Sequence, residues 1–114
     1  MNNINRLEQL LQFLEQSPED AFLNYCIALE YIKNEDFNAA LRYFNYLIEN
    51  HPEYTGTYYH LGKLYVRLQK KDDAIKIYDS GLLITKRLED HHAYSELLSA
   101  KNEILNDYDV EFDD

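Results

Sequence analysis

Few residues in this chain have the type and spacing that chemistry requires. The one cysteine, Cys26, sits in the apolar run Tyr25-Cys26-Ile27-Ala28-Leu29. A thiol in such surroundings packs as a small hydrophobe rather than serving as a nucleophile. Asp90-His91-His92 looks metal-like at first sight. Adjacent residues on a helix point about 100° apart, however, and no HxxxH pair shares a face. That run reads as an exposed helix start. The three glycines, Gly56, Gly62 and Gly81, form neither a phosphate-cradling loop nor a dinucleotide fingerprint. No serine stands in a nucleophile elbow. The expectation is no catalytic residue, no metal, no cofactor, and a protein that is not an enzyme.

Composition narrows the class further. The chain has 114 residues, 46% hydrophobic and 28% charged, with only 3 Gly and 2 Pro. That suits a globular helical protein with a real core and excludes collagen-like, linker-rich and turn-dense all-β designs. The net charge of −10 argues against binding nucleic acid by bulk charge. The longest apolar run is five residues, Tyr25 to Leu29, far short of the ~20 that cross a bilayer. Glu and Gln interrupt the apolar residues near the N-terminus, so no signal-peptide core is expected. A single cysteine fits a reducing compartment, and a cytoplasmic location is the default.

The elements that must position any binding residues are helices. Leu7, Leu10, Leu11 and Leu14 recur with helical spacing. Ser17-Pro18-Glu19-Asp20 then ends one helix and starts another, with Ser17 as the cap and Pro18 in the first turn. Apolar positions resume from Phe22 to Ile32. Asp36 caps a helix from Phe37 to Glu49, and His51-Pro52 breaks it. Further helices are expected at about 54–68, 72–83 or on to Arg87, and 90–105. Six helices joined by short connections pack as antiparallel neighbours.

Shifted by 34 residues, the chain overlays itself: Tyr25 meets Tyr59, Ile27 Leu61, Ala28 Gly62, Tyr31 Tyr65, Ala40 Ala74, and Phe44 Tyr78. Small residues at Ala28/Gly62 and Ala40/Ala74 let two helix backbones approach closely. The aromatic residues fill the space beyond. One unit reads Asn24-x2-Ile27-Ala28-x2-Tyr31, Ala40-x3-Phe44, Pro52; the next reads Tyr58-x2-Leu61-Gly62-x2-Tyr65, Ala74-x3-Tyr78. This pattern resembles the tetratricopeptide repeat (TPR) family, whose signature has the same period and order. Two departures stand out. Asn24 replaces the usual large aromatic, and Lys86 stands where a second closing proline belongs, so the helix before it is expected to run longer or the next one to enter at a different angle.

The resemblance implies an all-α fold of antiparallel helix-turn-helix repeats stacked as a short right-handed superhelix, an α-solenoid. It spans a single TPR domain over residues 1–106: a leading helix at 3–16, repeats at 21–54 and 55–88, and a capping helix at 89–106 that covers the open apolar end. Residues 107–114 form an acidic tail in which Tyr108, Val110 and Phe112 alternate with acids, a period of two that suits an extended strand. Such a tail is expected either to dock in a groove or to remain a solvating terminus.

In the family the first helix of each repeat lines a concave groove that binds a peptide or partner segment. Spacing then assigns the peptide-binding groove to Tyr25, Leu29, Lys33, Tyr59, Lys63, Arg67 and Lys101, the last on a capping-helix stripe with Ala93, Leu97 and Ala100. The four cations have no acid beside them on that stripe. Positive charge is concentrated in residues 55–88, with 7 bases and 3 acids. A basic groove with aromatic anchors suits an acidic peptide or a C-terminal carboxylate, although the same cations also serve simply to keep a groove soluble. The clamp asparagines of the family's carboxylate binders have no match here. The expected function is a non-catalytic protein–protein interaction module, an adaptor or scaffold. Its partner is a protein or peptide, with no nucleic acid and no membrane. The rival reading is a structural protein whose main partner is a second copy of itself, a homo-oligomer. Eleven tyrosines, more than packing consumes, suit either reading.

Overall fold

The computed structural model describes the backbone of residues 3–112 and the side chains of residues 6–107. Six α-helices account for it: α1 (Asn3–Gln16), α2 (Ala21–Lys33), α3 (Phe37–Asn50), α4 (Gly56–Arg67), α5 (Lys71–Arg87) and α6 (His91–Phe112). No strand occurs among the described residues. The chain divides into two compact units, one ending at Thr57 and the other beginning at Tyr58.

In the first unit α2 packs against both α1 and α3. Ile27, Ala28, Ala40, Phe44 and Leu47 have no exposed surface, so the small residues sit where α2 and α3 meet. The helix start differs from the expected one. Asp20, not Ser17, is the N-cap of α2, its Oδ1 accepting the Leu23 N–H at 2.9 Å. Pro18 lies in the turn before it rather than in the first helical turn. Asn24, at the position the family fills with a large aromatic, is buried and donates from Nδ2 to the carbonyls of Asp20 (2.8 Å) and Pro18 (3.2 Å). A polar side chain thus ties the turn down where an aromatic would have covered it. Arg6 of α1 pairs with the buried Glu30 of α2 at 2.7 Å and locks the leading helix in register.

In the second unit α5 packs against α6. Leu61, Leu64, Ala74, Tyr78, Leu97 and Ile104 form the core. Gly62 and Gly81 supply space, not conformational freedom, since no glycine has a positive φ. A Cβ on Gly62 would run into the Tyr78 ring, and one on Gly81 would lie 2.7 Å from Cβ of Tyr58. α5 has 17 residues against 14 for α3. Lys86 does not stop a helix as Pro52 does, so the longer of the two expected outcomes is the one adopted.

The 34-residue period is written into the backbone of the connections. After α2, the N–H groups of Asn34, Glu35 and Asp36 donate to the carbonyls of Glu30, Ile32 and Tyr31. After α4, Leu68, Gln69 and Lys70 donate to Leu64, Val66 and Tyr65 in the same pattern. Glu35 and Gln69 take the left-handed conformation, with φ of 61° and 62°. This is the Schellman closure of a helix C-terminus. Leu88, Glu89 and Asp90 repeat it between α5 and α6, with Glu89 at φ 58°.

The final helix is longer than the spacing implies. α6 runs to Phe112, so the extended reading of residues 107–112 is overturned. Once Asp90 has capped the helix, its Oδ1 accepting the Ala93 N–H at 3.2 Å, nothing before Phe112 is a glycine or proline that would end it. The side chains of Tyr108 to Phe112, and all of Asp113 and Asp114, lie outside the described residues.

Candidate protein-interaction faces

On α2, Tyr25, Leu29 and Lys33 are four residues apart and share one face. Their neighbours Asn24, Ile27, Ala28 and Glu30 are buried, so this stripe flanks the core-facing one. Tyr25 and Leu29 are half-buried and Lys33 is exposed. The Tyr25 ring lies 5.3 Å from that of Tyr54, tilted by 53°, which fixes its orientation. Lys33 ends the helix where a cation complements the dipole. Phe22, one turn earlier than Tyr25, is 61% exposed.

On α4 the same register brings Tyr59, Lys63 and Arg67 to one face. The Lys63 ammonium lies 5.8 Å above the Tyr59 ring and 3.9 Å from Oε2 of Glu103 on α6. Between α4 and α6 is a depression of about 350 Å³, lined by Tyr59, Lys63, His92, Glu96, Ser99 and Glu103 among others. His92 and Glu96 approach at 3.6 Å across one helical turn.

Of the capping-helix stripe, Ala100 alone lines this depression. Leu97 and Ala100 are core residues, 1% and 5% exposed. Lys101 lies on the α5 side, its Nζ 2.7 Å from Oδ1 of Asp79, and is not among the residues that line the depression. The α6 residues that line the depression are His92, Ser95, Glu96, Ser99, Ala100 and Glu103. Two glutamates thereby join Lys63, and the acid-free stripe expected from spacing does not hold in this unit. The signal was present: Leu97, Ala100 and Ile104 mark the buried line of α6, and Glu96, Ser99 and Glu103 precede each by one residue.

The Tyr78 ring, packed against Gly62 of α4, is 0% exposed, with a hydroxyl that has no hydrogen-bond partner. Burial pushes its ionisation far above the ordinary tyrosine value, and the nearby Tyr59 and Glu103 push it further. His60 is driven the other way: burial lowers its pKa below 6.5, and Glu96 partly opposes this. In the first unit the Cys26 thiol is pushed up by burial, an effect that Arg6 opposes and Asp20 and Glu30 reinforce, so its thiolate is disfavoured. Among the described residues no three His, Cys, Asp or Glu side chains gather in a way that would hold a metal ion. No described helix is long and apolar enough to cross a membrane.

Helix hairpins repeated at 34 residues, closed by the same turn and crossing at paired small residues, define an α-helical repeat protein. The chain matches, over residues 2–81, the family model described as anaphase-promoting complex, cyclosome, subunit 3. It is 41% identical to a tetratricopeptide repeat domain protein from Salinibacter ruber, in a crystal structure that superposes with a TM-score of 0.72 over 76% of this chain and 97% of the other. A solution structure of a tetratricopeptide repeat domain protein from the same organism gives 44% identity and a TM-score of 0.74, covering 76% of this chain and 88% of that one. The chain belongs to this family of tetratricopeptide repeat proteins. The solution structure of a protein from Bordetella parapertussis shares the fold, with a TM-score of 0.81 at 23% identity over 93% of this chain and 92% of that one. No curated protein sequence matches significantly.

Proposed function

We propose that this chain is a non-catalytic interaction module that binds a segment of a partner protein along the first-helix stripe of each repeat. Tyr25, Leu29 and Lys33 form that stripe in the first unit, and Tyr59, Lys63 and Arg67 form it in the second. One observation carries the reading. The stripes occupy the same register of successive repeats, and each carries a half-buried tyrosine and an exposed cation on one face: Tyr25, packed on Tyr54, with Lys33 at the end of the helix, and Tyr59 with Lys63 over its ring. Tyrosine anchors of this kind add contact area at low entropic cost. The Cys26 thiol, disfavoured as thiolate, adds no nucleophile. A cytoplasmic setting follows from the cysteine usage.

The expected preference for an acidic ligand is weaker in the second unit than spacing implies. Lys101 is paired with Asp79, and Lys63 stands between Tyr59 and Glu103. A photo-crosslinking amino acid placed at Leu29 or Lys63, with Arg42 and Asp73 as control positions, tests the module reading. Capture of one partner from the first two positions and not the controls supports it. Equal capture from all four, or from none, overturns it.

Self-association is the second reading. Leu98 and Leu105 lie two turns apart on α6 and are 39% and 38% exposed, two apolar side chains that a second copy would cover. Solution mass at two concentrations decides it: a mass that rises with concentration and falls to the monomer in Leu98→Glu supports self-association, and a constant monomer mass excludes it.

A further inference from the structure

We infer that α1 of one copy of the chain packs on α6 of a second copy, head to tail, as the second helix of a shared hairpin. This rests on the self-association reading above and names the two unlike surfaces that meet.

The repeat register says which kind of helix each face is built for. α1, α3 and α5 begin at Asn3, Phe37 and Lys71, each 34 residues after the last, so α1 is a second helix of the repeat. In α5 the inward positions are Tyr78 and Gly81. A Cβ on Gly62 would run into the Tyr78 ring, and one on Gly81 would lie 2.7 Å from Cβ of Tyr58. Both positions therefore lie against α4, the first helix of the same hairpin. In α3 the same positions are Phe44 and Leu47, which have no exposed surface. In α1 they are Leu10 and Phe13. No first helix precedes α1 among the described residues; Leu10 is only half-buried, and Phe13 is 60% exposed. α1 thus keeps the apolar face of a second helix with no first helix on it.

α6 is the converse. Its buried pair Leu97 and Ala100 has the spacing of Leu61 and Leu64 on α4, which are also buried. The α4 residues that meet α5 are Tyr58, three before Leu61, and Gly62, one after it. The same offsets from Leu97 give Tyr94 and Leu98. Tyr58 is 2% exposed, whereas Tyr94 is half-buried and Leu98 is 39% exposed. α6 carries the face of a first helix, and no second helix covers it among the described residues.

A second copy supplies both helices, in continuity with the interface that α4 and α5 already form. With α1 laid antiparallel on the α6 of another copy, Leu10 comes over Leu98 as Tyr78 does over Gly62. Phe13 comes beside Tyr94 as Gly81 does beside Tyr58. Two leucines replace a glycine and a tyrosine, and two aromatic rings replace a tyrosine and a glycine. The helices of the joint therefore stand further apart than α4 and α5, since the distance between packed helices follows the side chains at the contact. Charge opposes the joint. Residues 6–16 carry Arg6 against Glu8 and Glu15, and residues 91–107 carry Lys101 against Glu96, Glu103 and Asp107. Both faces are net acidic, so apolar burial holds the joint against a repulsion that salt screens. A contact between unlike surfaces leaves one free face of each kind, so growth continues past two copies or closes into a ring.

The test measures solution mass on the full chain. The parent mass should rise with concentration past twice the monomer, and rise further on adding salt. Phe13→Glu and Leu98→Glu each place a charge on one of the two faces. Both positions are exposed, so helical circular dichroism should match the parent; if Leu98→Glu loses that signal, Leu105→Glu replaces it on the same helix. Each variant alone should remain a monomer. An equal mixture of the two should form a dimer and stop there, because the first variant keeps α6 and the second keeps α1. A mixture that stays monomeric overturns the inference, since a face that pairs with its own kind gains nothing from mixing. So does Phe13→Glu associating like the parent, which leaves self-association through α6 standing without this joint. Dissociation of the parent on adding salt overturns it too, because ion pairs would then hold the copies together. A parent that is monomeric at every concentration removes both the joint and the self-association reading.

Discussion

A Cβ added to Gly62 would lie 2.6 Å from Cζ of the buried Tyr78 ring, closer than such atoms approach in folded proteins. The two residues therefore set how near α4 and α5 come to each other. Gly62→Ala gains about 1 kcal/mol of helix propensity, but overpacking against a ring with no exposed surface costs ~1–3 kcal/mol. The expected net result is a lower melting temperature, and Gly62→Leu should unfold the domain. Gly81→Ala should also lose stability, because Cβ of Tyr58 cannot turn aside. Gly56→Ala meets Tyr25 at 3.4 Å, an acceptable contact, and should be neutral. Thermal denaturation of the three alanine variants checks the order; a Gly62→Ala as stable as the parent would contradict it.

The repeated turns hold non-glycine residues in the left-handed conformation at Glu35, Gln69 and Glu89. That conformation costs roughly 1–2 kcal/mol for a residue with a Cβ. Gln69→Gly should therefore stabilise the protein by about 0.5–1 kcal/mol, after allowing for the greater freedom of glycine in the unfolded chain. Gln69→Val should destabilise it. Urea midpoints at unchanged slope are the measurement.

Arg6 and Glu30 tie α1 to α2, with the glutamate 8% exposed and the arginine 60% exposed at their side chains. Removing Arg6 leaves a buried carboxylate without its cation. Breaking a fully buried pair costs ~3–5 kcal/mol, but solvent screening at the exposed arginine reduces this, and about 1–2 kcal/mol is expected for Arg6→Ala. Glu30→Gln should cost less, because no charge is stranded. Amide exchange should rise first in α1; uniform exchange across the first unit would show that the pair does not register the helix.

His60 makes stability depend on pH in a stated direction. Its pKa is lowered in the folded protein by burial, so the unfolded chain binds the proton more readily. Stability is then full above the ordinary histidine value of 6.5 and is lost as pH falls through it, until the lowered folded value is passed. His60→Gln should flatten the stability profile from the ordinary histidine value of 6.5 downward. Equal slopes in parent and variant over that window would remove His60 from the account.

The fold was largely legible because it depends on local signals. Helical spacing, the small residues at 28, 40, 62 and 74, and breakers such as Pro52 act over a few residues, and each is visible in the order of residues. The stripes on α2 and α4 follow from the same arithmetic, because a residue's place on a helix face depends on its number alone. Asn24 shows where the family pattern misleads: the departure from an aromatic residue is explained by two carbonyls of the preceding turn.

By itself the sequence determined the helical class, the 34-residue repeat, the paired small residues and the inventory of charges. Tertiary structure decided which charges meet. Lys63 and Glu103 are forty residues apart, and Lys101 and Asp79 are separated by a turn, so neither pairing is a property of spacing along one helix. The facing side of α6 depends on its rotation about its own axis, which the burial of Leu97, Ala100 and Ile104 sets against α5. A rotation of one residue, about 100°, exchanges the line through Ala93 and Leu97 for the one through His92 and Glu96 on the face toward α4, and so brings acid to the depression beside Lys63.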